Sequence, residues 1–223
     1  MKLWVLPFFI GILAIFSGNL AYLVSLNEGF VDACFPYLEG CTSISKTGRN
    51  GLAYILFKLT ILPVMTLLSA YWIISFKTLK QNILNKILRN RVMMTSGLIG
   101  SLFGILYATF LGSDGDIYQL LRRFGIYFFF LGTYIAQILE VIQLSTNPVI
   151  KESNSFQLMK LVVILIGLII LISTPFYGFL EDDDWLENVL EWNITFLIFF
   201  YFILSGVLWR KTTLRMKIDF DSI

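Results

Sequence analysis

The chain has 223 residues, of which 57% are hydrophobic and 16% aromatic, and its formal net charge is only +2. Soluble domains are about 45–50% apolar, so this composition is typical of a membrane protein. There is no histidine, which excludes histidine general bases, histidine-ligated metals and every Ser-His or Cys-His nucleophile pair. We therefore expect no metal site and no cofactor, and any catalysis would need carboxylates, lysine, tyrosine or serine.

Six apolar segments predict a single all-α domain, residues 1–223, folded as a bundle of six transmembrane helices. Each segment has roughly the twenty residues that a helix needs to cross the hydrocarbon core. In chain order the segments span about 3–25, 51–76, 92–112, 122–144, 160–180 and 189–209. The first could be a signal peptide, but its apolar stretch is longer than a signal's core, so we expect a retained helix.

The charges between the segments predict that both termini face the cytoplasm. The side with the termini collects most of the basic residues, whereas the other side has only Lys46, Arg49, Arg122 and Arg123 and is acidic instead. By the positive-inside rule, the 26–50 loop lies outside the cytoplasm. All five tryptophans fall near predicted span ends, where we expect them to lie at the membrane interface.

The inner loop 77–91 has an amphipathic pattern. Its apolar residues share one helical face and its lysines and arginines occupy the rest. We predict a short helix on the inner leaflet, attracted to anionic lipid. The alternative is an extension of the second or third span beyond the membrane.

Both cysteines, Cys34 and Cys41, fall in the first outer loop. A pair confined to the exported side predicts a disulfide that closes a small loop around Pro36. Two free thiols are the alternative.

The second span contains Lys58 and Pro63, which are both costly in a membrane helix. Lys58 either binds an anion, such as a lipid phosphate or a substrate carboxylate, or it pairs with an outer-loop carboxylate or extends to the interface. Pro63 predicts a kink, with Thr60 and Thr66 placed to satisfy the freed backbone groups.

Arg122 and Arg123 break the charge rule at the start of the fourth span. They are either neutralised by the acidic outer loops, as we favour, or bind phosphate groups of outer-leaflet lipid or of a substrate. Together with the preceding loop they predict an outer-facing basic site for lipid, formed by Ser43, Ser45, Arg49, Lys58, Arg122 and Arg123.

Three polar residues, Lys58, Gln137 and Glu140, lie inside predicted spans. Glu140 lies near the cytoplasmic end, about 15 Å in depth from Lys58, so we expect no direct pair. It is either a proton or cation site or, as we favour, a carboxylate at the inner interface near Lys77 or Lys151.

The third span carries a small-residue ridge, Gly97, Gly100 and Gly104. Such ridges let helices approach closely, either inside the bundle or between protomers. A protein partner or a homo-oligomer would use this ridge, and we expect no nucleic-acid partner.

Residues 41–72 contain Ser43-Ile44-Ser45 with Gly48 after it, Pro63 in the next span, and Tyr71-Trp72 beyond the proline. In these elements, and in its six spans, the chain resembles the family that groups FRAG-type GPI-anchor remodelling proteins with DRAM autophagy modulators and yeast SFK-type proteins. Eukaryotic remodelling members often have a histidine where this chain has Thr60, so no role for that histidine is carried over. The compact loops resemble a bacterial member, in which the resemblance implies a role in handling lipid at the cytoplasmic (inner) membrane.

Three hypotheses about function follow. In the first, the protein binds or organises membrane lipid, in lipid or lipid-anchor remodelling, without catalysis. The second is a structural or accessory subunit of a larger membrane complex. The third is a lipid-modifying enzyme that uses carboxylates with Lys58, although no catalytic motif is present.

Overall fold

The computed structural model describes residues 2–82, 87–176 and 184–211. Within these ranges the chain forms nine α-helices and no strand. They are α1 (Val5–Asn27), α2 (Pro36–Glu39), α3 (Ile44–Thr47), α4 (Gly51–Asn82), α5 (Ile87–Phe110), α6 (Asp116–Leu144), α7 (Pro148–Lys151), α8 (Asn154–Phe176) and α9 (Asp184–Lys211). Six of them are long and apolar enough to cross a membrane. This confirms the predicted all-α fold with six spans and makes the chain an integral membrane protein.

The helices at 77–91 differ from the prediction of a separate surface helix. Residues 77–82 belong to α4 and residues 87–91 belong to α5, while residues 83–86 lie outside the described part. In the described part, the prediction is wrong and the alternative, an extension of two spans, is correct. An amphipathic pattern has the same period in a surface helix as in a span that projects from the membrane, so it could not separate the two.

The bundle has two ends, the loop end and the termini end. At the loop end, α1 ends, α4 begins and the short helices α2 and α3 lie. At the termini end, α1 begins and α9 ends. The α5–α6 turn is also at the loop end, where Gly115 has φ +116°, a conformation that favours glycine, just before α6 begins.

The glycine ridge of α5 packs inside the bundle. A Cβ atom on Gly97 would lie 2.4 Å from the indole of Trp72, and one on Gly100 would lie 2.9 Å from the backbone nitrogen of Thr133. A Cβ atom on Gly104 would lie 2.6 Å from the sulfur of Met65 on α4. The ridge therefore brings α5 close to both α4 and α6, and all three glycines are buried. This is the predicted packing inside the bundle.

Large aromatic side chains fill the interior between α4 and α9. Trp72, Trp192 and Trp209 are almost fully buried, so these rings face the protein interior, and their predicted place at the membrane interface stays a prediction. Trp72 stands well inside α4 because that helix continues to Asn82. Trp209 stacks on Tyr71 with ring centroids 5.1 Å apart, which shows that these rings belong to the core.

Helix α4 runs through Pro63 without a break. The backbone carbonyl that the proline frees belongs to Leu59, but the Thr60 hydroxyl donates to the Leu56 carbonyl and the Thr66 hydroxyl to the Leu62 carbonyl. We predicted that these threonines would hydrogen-bond to the freed carbonyl. The prediction is wrong, because both hydroxyls bond to other carbonyls. Thr60 instead connects two spans, because its hydroxyl lies 2.5 Å from that of Ser17 on α1.

Candidate functional site

The first loop is fastened across the loop end of the bundle. Cys34 and Cys41 form a disulfide with Cα atoms 6.5 Å apart, within the range that this bond requires. The Tyr22 hydroxyl on α1 donates to the Cys34 carbonyl, and the Trp192 indole N–H on α9 donates to the Thr42 carbonyl at 2.8 Å. The loop is thus held between α1 and α9.

Burial raises the pKa of Tyr37, a residue of this loop, and a hydrogen bond from the Asn19 amide partly opposes that change. The Tyr37 carbonyl also accepts a hydrogen bond from the Asn193 side chain of α9. Tyr37 is therefore a further packed connection between the loop and the bundle.

The two predicted serines have local partners. Ser43 is the N-cap of α3, where its hydroxyl accepts a hydrogen bond from the Lys46 backbone N–H, and it lies 3.1 Å from the Ser45 hydroxyl. Both serines line a cavity of about 330 Å³ whose other wall carries the α9 carboxylates Asp184, Glu187 and Glu191. The structure therefore places the serines beside acids and not among the predicted cations.

Lys58 and Arg122 meet at the C-terminal end of α5. The Lys58 ammonium donates to the Thr109 carbonyl at 2.8 Å and to the Tyr54 hydroxyl at 2.6 Å. Arg122 donates from Nη1 to the carbonyls of Phe110 and Ser113. The last carbonyls of a helix have no partner within the helix, and cations are stabilised there.

Neither cation is neutralised by an acid within the described residues. Their hydrogen-bond partners there are carbonyls and a tyrosine hydroxyl, so neither the predicted pairing of Lys58 with a carboxylate nor the neutralisation of Arg122 by one is seen. The acidic run 181–183 lies outside the described part. Arg49 and Arg123 are exposed at the same end.

A buried tyrosine lies beside these cations. Tyr107 of α5 is only 5% exposed, and its hydroxyl has no hydrogen-bond partner among the described residues. It interacts electrostatically with Arg49, Arg122 and Glu191. Glu191 in turn faces the backbone amides of Ser45 and Ile44, so α3, α5 and α9 converge on one polar centre.

No sequence signal marks this centre, because Tyr107 lies in an apolar run and has the pattern of a lipid-facing ring. Gln137, a predicted intramembrane residue, also lies in the core, where its amide donates to the Ile198 carbonyl at 3.0 Å. Its side-chain oxygen has no partner among the described residues.

A second polar centre surrounds Glu140 of α6. Only 1% of this residue is exposed. The Tyr71 hydroxyl lies 2.8 and 2.7 Å from its two carboxyl oxygens, and the Tyr201 hydroxyl lies 2.8 Å from Oε2. Ser75 donates to Oε1, and Ser205 hydrogen-bonds to Tyr71 at 2.9 Å.

The favoured prediction for Glu140, a carboxylate at the inner interface near a lysine, is therefore wrong. The residue is enclosed by hydroxyls from α4 and α9. These contacts could not be predicted from the sequence, because Tyr201 is distant from Glu140 along the chain. One signal was available. Tyr71 and Ser75, like Tyr201 and Ser205, are spaced by four residues and so share a helix face.

Comparisons with protein families, with curated proteins and with solved structures find no match to this chain. The resemblance to the FRAG, DRAM and SFK group thus stays a prediction. Two of its matching residues, Tyr71 and Trp72, lie in the core around Glu140.

Proposed function

We propose that this protein binds the phosphate group of a membrane lipid at the loop end, through Arg49, Lys58, Arg122 and Tyr107. The observation that carries the proposal is the Tyr107 hydroxyl, which is buried, has no hydrogen-bond partner among the described residues and lies within electrostatic range of Glu191, Arg49 and Arg122. A buried hydroxyl without a partner costs roughly 1–3 kcal/mol. A phosphate oxygen would accept its hydrogen while the arginines neutralise the charge.

The cations have donors left for such a ligand. Lys58 uses two of its three N–H groups on Tyr54 and Thr109. The hydrogen bonds of Arg122 leave from Nη1, and Arg49 is exposed within electrostatic range of Tyr107 and Glu191. A guanidinium binds two oxygens of one phosphate at once, which makes arginine well suited to this group.

The surface beside Lys58 suits acyl chains. Leu52, Ile55 and Leu59 of α4 are between 50% and 68% exposed, and they follow one another down the membrane-facing side of the helix at helical spacing. A lipid with its headgroup at the loop end would place its chains on this face. Arg123 adds charge at the same end, whereas Ser43 and Ser45 are not included, since they face carboxylates.

Binding can be measured by native mass spectrometry of delipidated protein titrated with phosphatidylglycerol or, separately, with a neutral diacylglycerol. We expect the phospholipid to bind more tightly. Arg122→Gln should lower its affinity by about tenfold or more, because a charge-assisted hydrogen bond contributes roughly 1.5–3 kcal/mol. Tyr107→Phe should lower it less, because it removes one neutral donor.

Two control variants lose a single positive charge, as Arg122→Gln does. Lys46→Gln removes an exposed cation at the loop end that lies beside acids, and Lys151→Gln removes an exposed cation at the opposite end. Both should bind phosphatidylglycerol as the wild type does. Equal losses in all the charge variants would show that binding depends on net charge alone, and the proposal would be wrong.

A further inference from the structure

The groups around Glu140 determine whether its carboxyl group is ionised or carries a proton. The titratable groups that face this carboxyl are Tyr71 from α4 and Tyr201 from α9, and no lysine, arginine or second acid among the described residues interacts with it. An ionised carboxylate buried without a positive partner is costly. The three hydroxyl donors offset part of that cost, so the charged and the neutral form both have a physical basis here.

Each form has a complete hydrogen-bond arrangement. In the carboxylate form, Tyr71, Ser75 and Tyr201 donate to Glu140, and Ser205 donates to Tyr71. In the acid form, Glu140 donates its hydrogen to the Tyr71 oxygen, Tyr71 donates to Ser205, and Ser205 turns to the carbonyl one turn earlier on α9, as helical serines commonly do. The two arrangements differ by one proton and by hydroxyl rotations only.

Buried amides lie between Glu140 and the termini end. Gln143, three residues further along α6, is fully buried, and neither its oxygen nor its nitrogen has a partner among the described residues. The same is true of the side-chain oxygen of Asn90 near the start of α5. Close packing of Gly100 on Gly132 sets the register of these antiparallel helices and places Asn90 level with Gln143.

Buried polar groups without protein partners are the usual positions of internal water. Glu140 is four residues from the end of α6, about 6 Å along the helix axis. Water held by Asn90 and Gln143 would therefore span most of the distance between Glu140 and the termini end.

We propose that Glu140 is a proton-binding site of this bundle, which takes up and releases one proton through the termini end by way of Gln143 and Asn90. The proton moves between solvent water and a carboxyl oxygen, and Tyr71 and Ser205 reverse their hydrogen bonds as it does so. This site is separate from the proposed lipid site at the loop end. A negative result in the test of one site therefore does not count against the other.

The test is infrared difference spectroscopy of the full chain in lipid vesicles, titrated from about pH 4 to about pH 10, a range that includes the ordinary values of glutamate and tyrosine. The difference between the wild-type and Glu140→Gln titrations should contain one carboxylic acid C=O band that appears with falling pH, whereas the bands of the other carboxyl groups, Glu191 included, are common to both. Glu152→Gln, which removes an exposed carboxylate at the same end, should retain it.

Tyr201→Phe keeps the proposal testable if Glu140→Gln does not fold. It removes one donor to the carboxylate, so the midpoint of the band should move to higher pH by about one unit, a tenfold gain in proton affinity. Gln143→Leu should slow the response of the band to a pH jump. A band that is the same in wild type and Glu140→Gln, or a midpoint that Tyr201→Phe leaves in place, would overturn the proposal, and an unchanged rate in Gln143→Leu would overturn the route.

Discussion

The packing of Trp72 on Gly97 provides the sharpest test of the fold. A Cβ atom at Gly97 would lie 2.4 Å from the indole, whereas an ordinary contact begins at 3.4 Å, so the ring would have to move by about 1 Å. That ring is fully buried against Tyr71 and Phe202 and has little space to do so. Overpacking of this kind costs about 1–3 kcal/mol.

Gly18 offers a matched control. It is also a buried helical glycine that faces a tryptophan, but a Cβ atom there would lie 3.7 Å from Trp192, an ordinary contact. Both Gly97→Ala and Gly18→Ala gain similar helix propensity, so this gain cancels in the difference between them. We expect Gly97→Ala to be the less stable of the two by about 1–3 kcal/mol.

The assay is equilibrium unfolding in detergent mixtures, with tryptophan fluorescence and circular dichroism followed together. Coincident transitions would justify a two-state free energy of unfolding for each variant. Equal stabilities of Gly97→Ala and Gly18→Ala would refute the reasoning, because Trp72 could not then be packed on α5 as the structure has it.

Three further predictions use the same preparations. Replacing both Cys34 and Cys41 with serine should lower the free energy of unfolding by about 2–3 kcal/mol in the chain-entropy model, and a reductant should destabilise the wild type but not this variant. Trp192→Phe removes the indole donor to the loop and should cost about 1–3 kcal/mol, whereas Trp185→Phe, at a half-exposed ring, should change unfolding by less than about 0.5 kcal/mol. Lys58→Met should keep expression near wild type and lower the affinity for phosphatidylglycerol about tenfold; loss of folded protein instead would assign Lys58 a structural role at the end of α5.

The six spans were predictable because length and hydropathy alone determine whether a helix can cross a bilayer. The residues at which the spans end were harder to predict. A helix that continues beyond the membrane, as α4 does to Asn82, has the pattern of an amphipathic surface helix. The disulfide between Cys34 and Cys41 followed from cysteine number and place, since no other cysteine competes.

The two polar centres could not be predicted as units, because each is formed by helices that are distant in sequence. Glu140 was recognised as an unusual acid, but its burial depends on Tyr201 of α9 and Tyr71 of α4. Trp72 was expected near a span end, where tryptophan prefers the interface, but its burial against Gly97 depends on a contact between two helices that no local pattern shows. Tyr107 had no local signal, because it is distinguished by a buried hydroxyl that has no hydrogen-bond partner within the described ranges of the folded chain.

The most direct test of the proposed lipid site is a structure of the protein extracted with its native lipid, examined beside Tyr107. We predict density for a phosphate within hydrogen-bond distance of the Tyr107 hydroxyl and of Arg49 or Arg122, with acyl chains on the exposed face of α4. A Tyr107 hydroxyl paired with a protein group, and no density next to the two arginines, would contradict the account.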